Sequence, residues 1–248
     1  MLKTALVFLG LLVMASCAHQ GHAPMHRAIL TAFAAQRDGD EDRAFAAFRE
    51  AAGLGHPFAL SEVGRSFLDG NGIKRDVDQA IAYFRLVAEN HAGTPYGPRA
   101  SWRLACLYFR GTEGLVPDLE AAAHWMALAA RTKRKAALAL SSFYRLGIGL
   151  PEDLSPAEYR ALADHWLDIA VHGSFPSDSQ EELRLHGDHL EANAASVLEH
   201  AGCFPPDPET AGILYLMSWK NGYSLGLRNY CSIQNRYFRR KPAECSMS

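Results

Sequence analysis

One spacing of small, apolar and aromatic residues occurs three times in this chain, and it limits the possible folds more than any other feature. In each copy an alanine is followed four residues later by valine or leucine and then directly by a small residue. An aromatic residue comes three residues further on and a glycine three residues after that, so that the copies occupy residues 59–70, 100–111 and 136–147. Because residues three and four apart share one face of a helix, each copy predicts a short amphipathic helix that ends at its glycine.

A second helical pattern follows each copy, and its aromatic positions are Tyr83, Trp125 and Trp166. Asp76 and Asp118 directly precede two of these apolar runs, where an aspartate side chain can cap the first N–H groups of a helix. The chain is rich in alanine and nearly lacks the alternation of β-branched residues that is typical of strands, which favours an all-α fold. One helix pair cannot bury its own apolar face, so the copies are expected to stack as a solenoid.

The segment GNGIKRDVDQAIAYF, residues 70–84, resembles the Sel1-like repeat, a branch of the tetratricopeptide-like family. The resemblance implies a right-handed α/α solenoid of helical hairpins, which we assign to residues 26–173. The second copy departs from the family pattern with Gly-Thr-Glu-Gly at residues 111–114, and the third carries an insertion before its second helix.

The pattern decays after Gly173, so residues 174–248 are predicted to form a degenerate repeat and a helical C-terminal cap. Within them the sequence predicts a long helix over 179–202, a repeat-like helix that begins near Asp207, and a last helix over 223–239 with a polar outer face.

The N-terminal residues are predicted to be a targeting signal and not part of the fold. Residues 1–16 hold a short apolar run that is typical of a signal peptide, and the small residues before Cys17 resemble a bacterial lipobox. The resemblance implies that Cys17 becomes the acylated N-terminus and that residues 17–25 are a tether. With Ala18 next, we expect a lipid anchor in the outer membrane that faces the periplasm. A secreted protein in which Cys17 has no role is the alternative.

The other cysteines are Cys106, Cys203, Cys231 and Cys245, and none has a spacing typical of a zinc site. Cys106 follows a core position of its helix and is expected to be a buried free thiol. If the last helices are antiparallel neighbours, Cys203 and Cys245 lie at the same end of the stack. We therefore predict a Cys203–Cys245 disulfide, with pairing of Cys231 as the alternative.

No arrangement of residues predicts catalysis, a metal site or a cofactor. Glu182, His186 and His189 share one predicted helix face, but a solvated polar face explains them better than a metal cluster because no ligand from another element is apparent. The net charge is −2 and the longest basic run is Arg239-Arg240-Lys241, which argues against nucleic-acid binding.

The function that these features predict is that of a membrane-anchored periplasmic scaffold or adaptor that binds envelope proteins or peptide segments on its solenoid surface. The family resemblance implies service in an envelope assembly such as secretion or exopolysaccharide export; a peptidoglycan-binding protein or hydrolase is the alternative. Tyr96, Trp102 and Trp219 lie outside the main repeat pattern and are candidate partner contacts, with core packing as the competing interpretation.

Overall fold

The computed structural model describes residues 23–149, 154–173, 203–204, 206–222, 224–240 and 242–246. Over these ranges the regular structure is helical apart from one isolated β-bridge between Thr112 and Leu115, so the predicted all-α class is confirmed. The helices are α1, 23–37; α2, Glu41–Gly53; α3, Pro57–Asp69; α4, Val77–Asn90; α5, Tyr96–Arg110; α6, Leu119–Ala130; α7, Arg134–Leu146; α8, Pro156–His172; α9, Pro208–Lys220; α10, Ser224–Phe238; and a 3₁₀ helix, Ala243–Ser246.

The chain divides into two compact units, of which one ends at Ala100 and the other begins at Ser101. In the first unit α2 packs on α3, and α3 packs on α4. The fully buried Phe48, Val63 and Phe84 form much of the core, together with alanines at the small positions of the pattern. The second unit contains the successive pairs α6 with α7 and α7 with α8, and the pair α9 with α10.

Side chains before the helices satisfy their first N–H groups, as the sequence predicted for two of them. Asp76 accepts a hydrogen bond from the backbone N–H of Gln79 at 3.0 Å, and Asp118 accepts one from Ala121 at 2.9 Å. α8 begins instead with a capping box, in which the Ser155 side chain and the Glu158 carboxylate bond each other's backbone N–H. The hydrogen bonds from Ser155 lower the pKa of Glu158 below its ordinary value.

Two turn glycines allow the repeats to pack closely. Gly72 and Gly149 both have a positive φ, at 68° and 60°. A side-chain Cβ at Gly149 would lie 1.8 Å from the carbonyl oxygen of Leu119, and one at Gly72 would lie 2.1 Å from that of Glu41. The turn at Gly72 therefore lies directly against the first residue of α2, and the turn at Gly149 lies against the first residue of α6. Only glycine permits contacts as close as these.

Two predictions need correction, and several others concern residues that the structure does not describe. The first helix starts at residue 23, so residues 23–25 belong to α1 and not to the tether. The glycine- and proline-rich insertion at residues 93–98, which the repeat spacing predicts to be a loop, is helical from Tyr96, where α5 begins. Cys17 with the signal peptide, the predicted helix 179–202 and the cluster of Glu182, His186 and His189 lie outside the described residues.

Candidate interaction surfaces

The first unit carries a cluster of aromatic and aliphatic side chains that we name the aromatic patch, made of Leu30, Phe33, Phe58 and Tyr96. The ring centroids of Phe33 and Phe58 lie 5.5 Å apart, and those of Phe58 and Tyr96 lie 6.0 Å apart. Leu30 is 69% exposed and Phe33 is 47% exposed, whereas Phe58 and Tyr96 are half-buried. The predicted contact residue Tyr96 therefore lies at the inner edge of a partly exposed apolar surface.

His56 borders this patch and caps a helix with its ring. Its ring lies 6.3 Å from that of Phe58 and 6.4 Å from that of Tyr96. Its Nδ1 accepts the backbone N–H of Ala59 at 3.4 Å and so caps α3. Burial lowers the pKa of His56 below the ordinary 6.5, and the positive charges of His26 and His91 lower it further.

The second predicted contact, Trp102, belongs to an aromatic cluster in the second unit and is half-buried there. Phe204 lies at its centre, with ring centroids 5.3 Å from Trp102, 5.2 Å from Phe109 and 5.1 Å from Phe143. Phe204 itself is only 6% exposed. Packing against Phe204 thus accounts for this face of Trp102, and no pattern in the sequence indicated Phe204 as its partner.

The disulfides differ from the prediction. Cys106 is bonded to Cys203 and Cys231 to Cys245, so the predicted Cys203–Cys245 pair and the predicted free thiol of Cys106 are both wrong. The chain after α10 reverses at Arg239, which has a φ of 51°, and the 3₁₀ helix returns to contact α10. Cys245 is thereby brought back along α10 to Cys231, which leaves Cys203 for Cys106 of α5.

A buried carboxylate, that of Asp207, holds the chain close to Cys203 and Phe204 on α7. Asp207 is 3% exposed and caps α9, accepting the backbone N–H of Thr210 at 3.1 Å through one oxygen. Its other oxygen accepts the Ser142 hydroxyl at 3.2 Å and lies 3.7 Å from Nε of Arg145. Arg145 also donates to Asp164 of α8 at 2.9 Å. A carboxylate with so little exposure to water is stable only when hydrogen-bond donors and an opposite charge surround it in this way.

The residues of α5 and α7 that hold this segment occupy equivalent places in the repeat. Cys106 of α5 corresponds to Ser142 of α7, and Phe109 corresponds to Arg145. These positions lie beside the repeat motif and are not part of it. One side of both helices is therefore occupied by the chain's own residues 203, 204 and 207, through a disulfide, ring packing and a buried carboxylate.

A groove of about 500 Å³ runs between α9 and α10. The residues of α9 that line it recur at helical spacing on its outer face, and those of α10 do the same. They are Glu209, Ile213, Leu216, Met217 and Lys220 from α9, Tyr230, Gln234 and Phe238 from α10, and Arg240 beyond it. The predicted contact Trp219 is half-buried and does not line the groove.

The lining of the groove combines apolar side chains with polar and charged ones. Ile213 is 46% exposed and Met217 is 36% exposed, although the repeat pattern already buries the other face of α9. Burial raises the pKa of Tyr230 above its ordinary 10.0, and the negative charge of Glu244 raises it further, so the phenol keeps its proton near neutral pH. On the other side of α10, Arg228 and Ser232 are exposed together with Leu225, so this side mixes polar residues with an apolar one.

Within the described part of the chain, no group of three or more His, Cys, Asp or Glu side chains is arranged to hold a metal ion. None of its helices combines the length and the apolar character needed to cross a membrane.

Stacked helical hairpins with glycine turns define an α/α repeat protein, and the family comparison specifies which kind. The model of the Sel1 repeat matches residues 57–91, 98–131 and 134–158, so this chain carries Sel1 repeats. Sel1 repeats generally mediate protein–protein interactions, and proteins built from them are typically scaffolds and not enzymes. The expected solenoid class of Sel1-like hairpins is thereby confirmed.

Solved structures with similarity to this chain include a Sel1 repeat protein from Oxalobacter formigenes, with 20% identity over 92% of this chain and 84% of that one, at a TM-score of 0.47. Another is c5321, a protective antigen of uropathogenic Escherichia coli with an SLR fold. It is 19% identical over 93% of this chain and 53% of its own, at a TM-score of 0.44. No curated protein sequence matches the chain.

Proposed function

We propose that this protein is a membrane-anchored periplasmic scaffold that binds a segment of another envelope protein in the groove between α9 and α10. The lipobox-like sequence before Cys17 supports the anchor, and the Sel1 repeats support a role in protein–protein interaction. The assembly served is of the kind that secretion or exopolysaccharide export requires.

The groove is the observation that carries the proposal. A helix that ends a repeat array normally presents polar residues outward, because no further repeat covers it. Here Ile213, Leu216 and Met217 project from the outer face of α9 into a groove whose other wall contains Tyr230 and Phe238. A groove between two helices, lined in part by apolar side chains at helical spacing, fits the apolar face of an amphipathic helix.

Charges at the border of the groove indicate which helix would bind. Lys220 stands at the end of α9 and Arg240 follows α10, whereas Glu209 is the acidic residue in the lining. Among the lining residues, two cations against one carboxylate favour a partner helix with acidic residues beside its apolar face, while Glu244 adds a negative charge on the side of Tyr230. Such rim charges mainly set the association rate and the choice of partner, and the apolar contacts supply most of the affinity.

A pair of substitutions in the same helical hairpin tests the proposal. Ile213 and Leu225 are aliphatic and each is 46% exposed, but only Ile213 lines the groove. We expect in-cell crosslinking followed by mass spectrometry to recover an envelope protein with the wild type and with Leu225→Glu. Recovery should fall by about tenfold with Ile213→Glu, because a buried carboxylate costs at least the loss of one apolar anchor.

Two results would contradict this function. Equal recovery with both variants would show that the groove is not the binding surface, and recovery of no envelope protein would count against a scaffold. Incubation of the soluble protein, without residues 1–17, with labelled peptidoglycan tests the alternative directly. Release of label from the peptidoglycan would show that the protein is a hydrolase and not a scaffold.

A further inference from the structure

The helix α1 carries two large apolar side chains, Leu30 and Phe33, that stay partly exposed although Phe33 also packs on the buried Phe48. Its buried face consists of Ala28, Ala32 and Ala35, which are 4%, 0% and 0% exposed. Leu30 and Phe33 lie on the opposite side at helical spacing and are 69% and 47% exposed. A helix at the surface of a protein normally carries polar residues there. Phe33 is continuous with Phe58, so Leu30 and Phe33 form the exposed end of the aromatic patch.

Charge is distributed unevenly along α1. His26 and Arg27, both exposed, stand in its first half beside Leu30. Acidic residues follow its C-terminal end, where Asp38 and Asp40 are exposed and Arg37 pairs with Asp38 at 3.4 Å. Basic residues beside exposed apolar side chains are typical of a helix that lies on a phospholipid surface, where cations contact the phosphates. The acidic end suits a position away from the anionic headgroups.

The reach of the chain brings this half of α1 close to any anchor at Cys17. Cys17 and the first residue of α1 at position 23 are separated by six residue steps, which span at most about 20 Å when fully extended. Leu30 lies about 10 Å further along the helix. Two apolar side chains bind a membrane weakly by themselves, but the anchor keeps them at a high effective concentration at the bilayer.

We propose that the first half of α1 lies against the phospholipid surface to which Cys17 is anchored, with Leu30 and Phe33 among the upper acyl chains and Arg27 at the level of the phosphates. This inference rests on the lipid anchor of the proposed function. It assigns the exposed end of the aromatic patch to lipid, and it leaves the groove between α9 and α10 for the protein partner.

A photoreactive side chain in the full chain, expressed in its own envelope, tests this contact. p-Benzoylphenylalanine is placed at position 30 and, as a matched control, at position 82, which is an exposed alanine of α4 in the same unit. After irradiation, mass spectrometry of the purified protein identifies what each position has captured. We expect on the order of tenfold more phospholipid adduct at position 30 than at position 82, since an anchored apolar face stays at the bilayer.

The outcomes separate the two proposals. Capture of a protein at position 30, or an amount of lipid no greater than at position 82, overturns the membrane contact. The mass of the N-terminal peptide reports acylation of Cys17 independently. An acylated protein without lipid capture refutes only the contact of α1, whereas lipid capture by a protein that is not acylated supports the contact and refutes the anchor.

Discussion

His56 shows at the scale of a single residue how the fold depends on the protonation state of one side chain. It caps α3 by accepting a hydrogen bond at Nδ1, which a protonated ring cannot do. Burial lowers the pKa of His56 below 6.5, and His26 and His91 add to the effect. Because the unfolded chain then binds more protons at acidic pH, this contribution to stability is present above pH 6.5 and is lost as the pH falls below it.

The substitution His56→Asn removes the titration and keeps a side chain that caps helices well. We expect the wild type to lose more unfolding free energy than this variant between about pH 7.5 and about pH 5.5, measured by urea denaturation. His124→Asn, at an exposed position of α6, serves as the control and should retain the pH dependence of the wild type. An equal loss in His56→Asn and wild type would exclude His56 as the source.

Asp207 is the buried counterpart of the exposed helix caps. Asp207→Ala removes the cap of α9 and the buried carboxylate that Ser142 and Arg145 contact, so we expect a loss of about 3 kcal/mol in unfolding free energy. Asp118→Ala removes only an exposed cap and should cost about 1 kcal/mol. Urea denaturation measures both. Equal costs would mean that the buried contacts of Asp207 contribute nothing beyond capping.

At the scale of whole elements, the two disulfides fasten segments that the repeat itself does not hold. Cys106–Cys203 joins residues 97 apart and Cys231–Cys245 joins residues 14 apart. The longer closed loop restricts the unfolded chain more, so we expect Cys106→Ser with Cys203→Ser to cost about 4 kcal/mol and Cys231→Ser with Cys245→Ser about 3 kcal/mol. Non-reducing peptide mapping checks the pairs first, and a Cys203–Cys245 peptide would contradict them.

The contact between a turn and the preceding helix is a second feature at this scale. Gly149 combines a positive φ with a carbonyl oxygen 1.8 Å from where a Cβ would lie, whereas Gly114 has a positive φ and open space. Gly149→Ala should therefore cost on the order of 3 kcal/mol, and Gly114→Ala about 1 kcal/mol. Thermal unfolding of the two variants measures the difference. Similar melting temperatures would show that the turn does not constrain the stacking.

For the whole molecule, the proposed lipid anchor makes the location of the protein depend on one residue. If Cys17 carries the anchor, Cys17→Ser should abolish palmitate incorporation and move the protein from the membrane fraction to the soluble periplasmic fraction, because the proposed anchor consists of the acyl chains on this residue. Ser16→Ala keeps a small residue before the cysteine and should behave as the wild type. Membrane association of Cys17→Ser at the wild-type level would refute the lipid anchor.

The helices and their ends could be predicted because their causes are local. Asp76 and Asp118 cap helices through contacts three residues away, and Gly70 has the positive φ of 78° that its place at a helix end requires. Repetition of these short-range signals identified the helical hairpins and the Sel1 repeat. An error of local detail occurred at Tyr96, where a segment rich in glycine and proline begins a helix.

The partners of the cysteines and aromatic side chains were decided by the tertiary structure. Whether Cys106 stays free or Trp102 stays exposed depends on which distant segment covers that side of α5, and residues 203 and 204 do so from about a hundred residues away. The same holds for the groove, which exists because α9 and α10 pack at one face and leave the other open. The sequence by itself thus determined the helices, their caps and their repetition, since these follow from neighbours within one helical turn. Only tertiary packing determined which surfaces remain available to a partner, because burial depends on contacts that no local pattern encodes.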